Sequence, residues 1–226
     1  MVHLRDLLVG IMSTSTLAAA AATETRRADP LESVRHLGPF DVVELRRYET
    51  APGERERFAR YFDAWFPDAF EQLGCIVFGQ FADRSGPTHF TWLRGFRDLN
   101  ARPIVSAAFY YGPLWREHRV KVNALLPGAS DNVLLLRPLT PDRGISVLPA
   151  VDPVDETRGA QGVVVAHIFP VKKGSEQEFA KAAEPTFAAY RAAGLHEAGV
   201  LVTLDVANNF PQLPIRDDGP CLVWLG

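Results

Sequence analysis

The sequence predicts an α+β fold that consists of two copies of one unit, the second of them truncated. The first copy is predicted as strand, helix, two strands, helix and strand, because its hydrophobic period alternates between that of a strand and that of a helix. Landmarks of this copy then recur at nearly constant spacing, which indicates an internal repeat. The recurring landmarks are Gly53, Phe58, Gly74 and Gly79, which return as Gly174, Phe179, Gly194 and Gly199.

The first strand, residues 40–49, alternates between apolar and polar side chains, a pattern typical of a half-buried strand. Val43 and Leu45 lie on its apolar face. The opposite face carries a carboxylate, a guanidinium and a phenol, here called the polar trio: Glu44, Arg46 and Tyr48.

An amphipathic helix follows, since apolar residues recur at helical spacing from Phe58 to Leu73. Pro67 lies inside this pattern. Because proline lacks a backbone N–H group, we expect a kink or a break near Phe66. Gly74 then predicts the end of the helix.

Two strands come next, at residues 76–82 and 88–96, with Gly79 as a predicted bulge. Helical segments between residues 99 and 126 and a strand at 132–139 complete the first copy. The order βαββαβ is that of the ferredoxin-like fold, whose helices cover one face of the sheet. The other face must also be buried, and a second copy is the expected cover, which predicts an α/β barrel.

The second copy predicts a strand at residues 162–169, a helix after Gly174 that Pro185 interrupts, and a strand at 199–206. The chain then ends at residues 221–226, within what would be the third strand. The last helix and strand of the first copy have no counterpart here. The open edge predicts either a fragment or completion by another chain, as in a homodimer.

The chain thus divides into four predicted segments. They are a leader (residues 1–36), a first ferredoxin-like copy (37–140), a linker (141–161) and an incomplete second ferredoxin-like copy (162–226). The leader resembles a weak signal peptide, with Arg5 before a short apolar run and an alanine tract, although Asp6 opposes that interpretation. We expect a cytoplasmic protein, with export by this segment as the alternative. The apolar run is too short to span a bilayer.

Composition argues against several classes of function. The 226 residues are 47% apolar and 23% charged, with a formal net charge of −3. No nucleic-acid partner and no membrane-surface stripe are therefore predicted. Cys75 and Cys221 lack metal-ligand neighbours in the sequence and are expected to be buried thiols. The sequence shows no phosphate-binding loop, nucleophile elbow or metal-ligand cluster, so no metal and no cofactor are predicted.

An ordered set of short motifs covers residues 42–139. These motifs are Glu44-Leu45-Arg46-Arg47-Tyr48, Pro52-Gly53, Leu73-Gly74 with Gly79, Phe90-Thr91-Trp92 with Phe96, and Arg102 followed by Pro113 and Trp115. Together they resemble the NIPSNAP family, within the dimeric α/β-barrel superfamily. The second copy matches more weakly, since Val165, His167 and Phe169 replace the polar trio there.

This resemblance implies a barrel in which two sheets meet face to face, either within the chain or between chains. It does not specify an activity, because fold does not determine function. The superfamily includes heme-degrading enzymes, cofactor-free monooxygenases, chlorite-dismutase-like heme proteins and proteins of unknown activity.

The polar trio is the candidate ligand-binding site. If Val43 and Leu45 meet the helices, the trio faces the barrel lumen, where it would orient a polar group of a small ligand together with Trp92. The alternative is a structural pair of Glu44 and Arg46, with Tyr48 satisfying buried polar groups.

Two histidines are candidate general bases. His167 stands at the position of Arg46 in the second copy, and His89 precedes Phe90 on the third strand. For both residues the alternative is a hydrogen-bonded histidine of the core.

These residues predict a protein that binds a small, mostly apolar or aromatic molecule in the barrel lumen. The alternative is a cofactor-independent monooxygenase, with His167 or His89 as the base and Arg46 or Tyr48 holding an oxyanion. A structural assembly partner with a filled lumen is the third interpretation. The sequence leaves open whether the protein is an enzyme.

Overall fold

The structure, a computed structural model of the 226-residue chain, describes residues 39–128, 132–147 and 162–226. The predicted leader lies outside the described residues, as does the predicted linker from residue 148 onward.

The chain forms two units, each discontinuous in sequence. The first unit comprises Phe40–Arg137 together with Thr203–Asp218, which we call the 203–218 segment. The second unit comprises Pro138–Val202 and Gly219–Gly226.

The sheet of the first unit has four antiparallel strands in the order β2-β3-β1-β4. They are β1 (Val42–Glu49), β2 (Ile76–Ala82), β3 (His89–Phe96) and β4 (Val133–Pro138). The pairing of β2 with β3 shifts register between Val77 and Gly79, so the bulge predicted at this glycine is confirmed.

Four helices cross over between these strands. They are α1 (Arg55–Trp65), α2 (Pro67–Gln72), α3 (Ala101–Tyr110) and α4 (Pro113–Leu125). The predicted break is confirmed, because α1 ends before Pro67 and α2 begins at it. Proline is well accepted there, since a first-turn residue needs no backbone hydrogen bond. The φ angle of +90° at Gly74 turns the chain out of α2.

The helices cover the sheet face that carries the even-numbered residues of β1 and β3, because one buried cluster joins those residues to apolar side chains of all four helices. Val43 and Leu45 are buried on the opposite face. The condition under which the polar trio would face the barrel lumen, that this apolar pair meets the helices, is therefore not met. One alternating strand does not identify which of its faces the helices cover, and the aromatic residues Phe90, Trp92 and Phe96 of β3 decide it here.

Within the first unit, the 203–218 segment packs against β4. The backbone N–H of Leu204 donates to the Leu135 carbonyl at 2.9 Å, and that of Arg216 donates to the Val133 carbonyl at 2.9 Å. Leu204 and Ile215 also pack against the aromatic cluster. These contacts place the segment beside the cavity described below.

The second unit contains one helix and three strands. They are β5 (Ala166–Pro170), α5 (Glu176–Ala192), β6 (Gly199–Thr203) and β7 (Cys221–Leu225). Strand β7 pairs antiparallel with both β5 and β6. Phe187 and Trp224 are fully buried in its core.

The interruption predicted at Pro185 does not occur, because α5 runs through this residue without a break. A proline inside a helix removes one backbone hydrogen bond. Packing of the α5 residues Ala180 and Phe187 into the core of the second unit offsets that loss.

The predicted α+β class is confirmed, and the first unit has the predicted order βαββαβ once its helix pairs are counted as single crossovers. Within the described residues, no helix has the length and apolar character needed to cross a bilayer.

Candidate functional site

A buried charge cluster lies on the helix-covered face of the first unit's sheet. The Glu44 carboxylate accepts three hydrogen bonds of 2.7 Å, from Arg46 Nη1, Arg94 Nε and Arg102 Nε. All four side chains are at most 1% exposed. Three guanidinium groups against one carboxylate leave excess positive charge in the interior, where an uncompensated charge is costly.

Strand pairing and one helix bring these residues together. In the register of β1 and β3, Glu44 pairs with Arg94 and Arg46 pairs with Trp92. Arg102 comes from the first turn of α3. A slip of one residue would turn every side chain of a strand to the other face, so the site depends on this register.

The arginines keep Glu44 ionised. Burial alone would raise the pKa of this carboxyl, but the charges of Arg94, Arg46 and Arg102 hold its pKa well below the ordinary range. Burial would lower the pKa of Arg46, whereas its contacts with Tyr48 and Glu44 raise that pKa above the ordinary value. The cluster therefore keeps its charges at physiological pH.

Several buried atoms around the cluster have no hydrogen-bond partner among the described residues. They are Nη1 and Nη2 of Arg94, Nη2 of Arg102, Nε1 of Trp92 and Oγ of Ser106. The Arg94 guanidinium carbon instead lies 5.0 Å from the ring centroid of Phe70 and 5.3 Å from that of Trp92. Cation–π contacts offset part of the desolvation cost, but they supply no acceptor. The cluster thus has more donors than acceptors.

A cavity of about 490 Å³ opens beside the cluster within the first unit. Three residues of its lining come from the sheet and are here called the floor: Arg46, Tyr48 and Trp92, all of which are nearly fully buried. Arg46 Nε donates a hydrogen bond of 2.7 Å to the Tyr48 hydroxyl. The volume lies in the range of pockets that bind small molecules.

Aromatic rings form most of the cavity walls. They belong to Phe58, Phe62, Phe66, Phe70, Phe109, Tyr110, Trp115 and Phe210. Phe62 meets Trp92 edge-on at a centroid distance of 4.7 Å, and Phe70 stacks on Phe109 at 4.0 Å. Rings packed in this way hold one another in place, so the shape of the cavity is preformed.

The rim of the cavity, here called the mouth, is polar and exposed. Its residues are Tyr111, Arg119, Asn123 and Gln212, the last of which comes from the 203–218 segment. No acidic residue is among the described residues that line the cavity. The lining is therefore positively charged on the floor and at the mouth.

Arg102 connects the charge cluster to the 203–218 segment. Its Nη1 donates to Oδ1 of Asn208 at 2.9 Å and to Oδ1 of Asn209 at 2.8 Å. Asn209 Nδ2 in turn donates to the Leu99 carbonyl at 2.7 Å. One guanidinium thus holds both the central carboxylate and the segment whose Phe210 forms a cavity wall.

Two other titratable groups near the cluster stay protonated. Burial raises the pKa of the Tyr110 phenol, although the nearby Arg94 and Arg46 lower it in part. Burial also raises the pKa of the Cys75 thiol to about 12. Cys75 and Cys221 form no disulfide and are buried, as predicted. Cys75 is therefore a poor nucleophile in the folded protein.

The predicted ligand residues occupy two layers of the site. Arg46, Tyr48 and Trp92 line the cavity, whereas Glu44 lies behind its floor and is held by the arginines. The cavity lies between the sheet and its own helices, since residues of both line it. Placement of the polar trio in a lumen on the helix-free face is therefore wrong, and the ligand-binding roles of these residues stay predictions.

The two candidate bases lie elsewhere. His167 belongs to the second unit, where its Nδ1 is 2.9 Å from the Tyr190 hydroxyl and its ring contacts Phe169. His89 begins β3 and lies against Gly86. Neither histidine lines the cavity.

Sequence reasoning missed Arg94 and most of the cavity wall. The alternation of β3 already places Arg94 on the same face as Trp92, so this arginine could have been found from the period alone. Arg102 was noticed only as a motif residue, because a contact from a helix to a distant strand leaves no local signal.

Within the part of the chain that the structure describes, no group of three or more His, Cys, Asp or Glu side chains is placed to hold a metal ion.

No protein-family model matches the chain, and no curated protein matches it. Solved structures do match. A NIPSNAP-like domain protein from Burkholderia xenovorans is 24% identical, with 51% of this chain and 98% of that one covered and a TM-score of 0.42. A NIPSNAP family protein of unknown function from Agrobacterium tumefaciens is 18% identical over 45% of this chain and 90% of that one, with a TM-score of 0.40.

The chain resembles NIPSNAP proteins, as its motifs predicted. A more distant match is a putative antibiotic biosynthesis monooxygenase from Chloroflexus aurantiacus, which is 14% identical. That match covers 44% of this chain and 93% of the other, with a TM-score of 0.34.

Proposed function

We propose that this protein binds a small, largely aromatic molecule that carries an anionic group, in the cavity of the first unit. The anionic group is held on the floor by Arg46 and Tyr48, and the apolar body contacts the aromatic walls. The observation that carries this proposal is an aromatic cavity whose floor belongs to a buried cluster of three arginines and one carboxylate.

The charge of the cluster favours an anion. Glu44 already accepts a hydrogen bond from each arginine, so it cannot neutralise all three. Nη2 of Arg46 has no hydrogen-bond partner among the described residues, and Arg46 lines the cavity. A carboxylate or phenolate bound there gains charge-assisted hydrogen bonds in a site of low dielectric constant.

The shape and chemistry of the walls favour a ligand that contains an aromatic ring system. Six of the wall rings come from the helices and Phe66 lies between two of them, and the contacts of these rings with one another leave little freedom to collapse into the space. Trp92 adds a further aromatic ring to the lining.

Binding rather than catalysis is what these contacts support. The alternative predicted from the sequence, a cofactor-independent monooxygenase, needs a base next to the substrate. His89 and His167 were the candidates, and neither lines the cavity. Tyr110 does line it, but burial raises the pKa of its phenol and keeps it protonated, so it is not available to accept a proton.

The test is a titration with 2-naphthoate and with its neutral methyl ester. Trp92 and Trp115 line the cavity, so intrinsic fluorescence reports occupancy. We expect saturable quenching by the acid and weaker binding of the ester. Arg46→Met should weaken binding of the acid about tenfold to a hundredfold, the range for a hydrogen bond to a charged group.

Arg47→Met is the matched control, because Arg47 is the next residue of β1, points to the other face and pairs with Asp83. This variant should bind the acid like the wild type. Equal affinity for acid and ester would contradict the anionic part of the proposal. Absence of saturable binding to either compound would contradict the whole of it.

A further inference from the structure

We propose that the mouth of the cavity binds a second anionic group at Arg119, so that the ligand is an elongated aromatic molecule with an acidic group at each end. This inference rests on the proposed function of the floor, and it adds the substrate class: an aromatic dianion, such as a dicarboxylate, rather than a monoacid.

The position of Arg119 on its helix is the first observation. Trp115, Arg119 and Val122 follow one another at helical spacing on α4, and all three line the cavity. Arg119 therefore interrupts the apolar stripe that faces the cavity instead of lying on the solvated face of the helix. An arginine in this place extends its stem over the aromatic wall and keeps its guanidinium at the rim.

The lack of a counter-charge is the second observation. Arg119 has no ion pair or hydrogen bond from its side chain among the described residues, and no acidic residue is among those that line the cavity. Elsewhere in the same unit, the exposed Arg57 pairs with Glu54 and Arg47 pairs with Asp83. The guanidinium of Arg119 is thus available to an anion that enters the mouth.

The neighbours of Arg119 provide further polar contacts. Asn123 lies one turn further along α4, and Gln212 lies on the 203–218 segment. Both are exposed and line the mouth. An arginine and two amides around one opening offer several N–H donors, which suits a carboxylate group.

The two arginines that line the cavity differ in burial. Arg46 is 1% exposed on the floor, whereas Arg119 is exposed at the mouth. Trp115 and Tyr110 are among the aromatic rings of the same lining. A ligand that satisfies both arginines therefore has a rigid apolar centre with acidic groups at opposite ends.

The experiment compares naphthalene-2,6-dicarboxylate with 2-naphthoate, both titrated into the full chain. We expect the diacid to bind the wild type about fivefold more tightly, as fits a partly exposed ion pair. Arg119→Gln should remove this advantage. Arg116→Gln, an exposed arginine of the same helix that does not line the cavity, should keep the advantage.

Three results would overturn the inference. Equal affinity of the wild type for diacid and monoacid is one, and an undiminished advantage in Arg119→Gln is another; both leave the proposed function of the floor intact. Absence of binding by either acid contradicts the proposed function and this inference together.

Discussion

Glu44 and Arg102 are 58 positions apart in the sequence, and Oε1 of the carboxylate lies 2.7 Å from Nε of the guanidinium. The contact joins the central strand β1 to the start of α3, and through Arg102 it reaches the 203–218 segment. The electrostatic centre of the first unit and one wall of its cavity are therefore mechanically connected.

Glu44→Gln should destabilise the protein strongly. The substitution leaves three buried guanidinium groups without a negative partner, and removal of one member of a buried ion pair costs about 3–5 kcal/mol. Urea unfolding followed by circular dichroism measures this loss. Glu54→Gln is the control, because its pair with Arg57 is largely exposed and should cost less than about 1 kcal/mol. Equal losses in the two variants would contradict the central role of Glu44.

Arg102→Met should loosen the 203–218 segment while leaving Glu44 paired with two arginines. The variant loses the hydrogen bonds to Asn208 and Asn209. Hydrogen exchange followed by mass spectrometry should show faster exchange across the segment, since local opening takes less free energy. Arg143→Met, which removes a pair with Glu197 in the second unit, should leave this exchange unchanged. Unchanged protection in Arg102→Met would show that the segment is held by other contacts.

Asp83 should make stability depend on pH in the acid range. Burial alone would raise its pKa, but hydrogen bonds from Ser85 and Arg47 lower it from 3.8 to about 2. A carboxyl with a lowered folded-state pKa stabilises the protein fully above the ordinary value, and this stability is lost as the pH falls through about 2. Ser85→Ala removes one of these hydrogen bonds and keeps every carboxylate.

The unfolding free energy of the wild type should therefore fall more steeply than that of Ser85→Ala between about pH 4 and about pH 2. Urea titrations at several pH values in this range measure the two slopes. Parallel curves would mean that the Ser85 hydroxyl does not stabilise the ionised form of Asp83.

Both cysteines should be unreactive in the folded protein. Cys75 and Cys221 are buried, and burial raises the pKa of the Cys75 thiol to about 12, so little thiolate is present at pH 8. Ellman's reagent should detect no rapidly reacting thiol in the native protein and two reactive thiols in guanidinium chloride. A thiol of native Cys75 that reacts within seconds would contradict the burial that encloses the charge cluster.

The local sequence pattern was sufficient to predict most helices and strands of the first unit. The period of β1 identified the polar trio, and Pro67, Gly74 and Gly79 marked a helix break, a helix end and a bulge that the structure contains. Each of these signals acts over a few residues, through a missing N–H group, a positive φ angle or a missing side chain. Pro185 was misread because core packing kept α5 intact.

The site itself could be predicted only in part. Alternation grouped Glu44, Arg46 and Tyr48 correctly, but the choice of face depends on which strand residues the helices bury, and that is a tertiary property. The role of Arg102 and the return of the 203–218 segment to β4 are contacts across long separations in the chain. Hydrophobic period carries no information about such contacts.

The most direct test of the proposed function is a crystal structure of the protein soaked with 2-naphthoate. The proposed function predicts that the naphthalene ring lies among the aromatic walls and that the carboxylate oxygens lie within hydrogen-bonding distance of Arg46 and the Tyr48 hydroxyl. Density for the compound at another site, with this cavity unoccupied at saturating concentration, would contradict it.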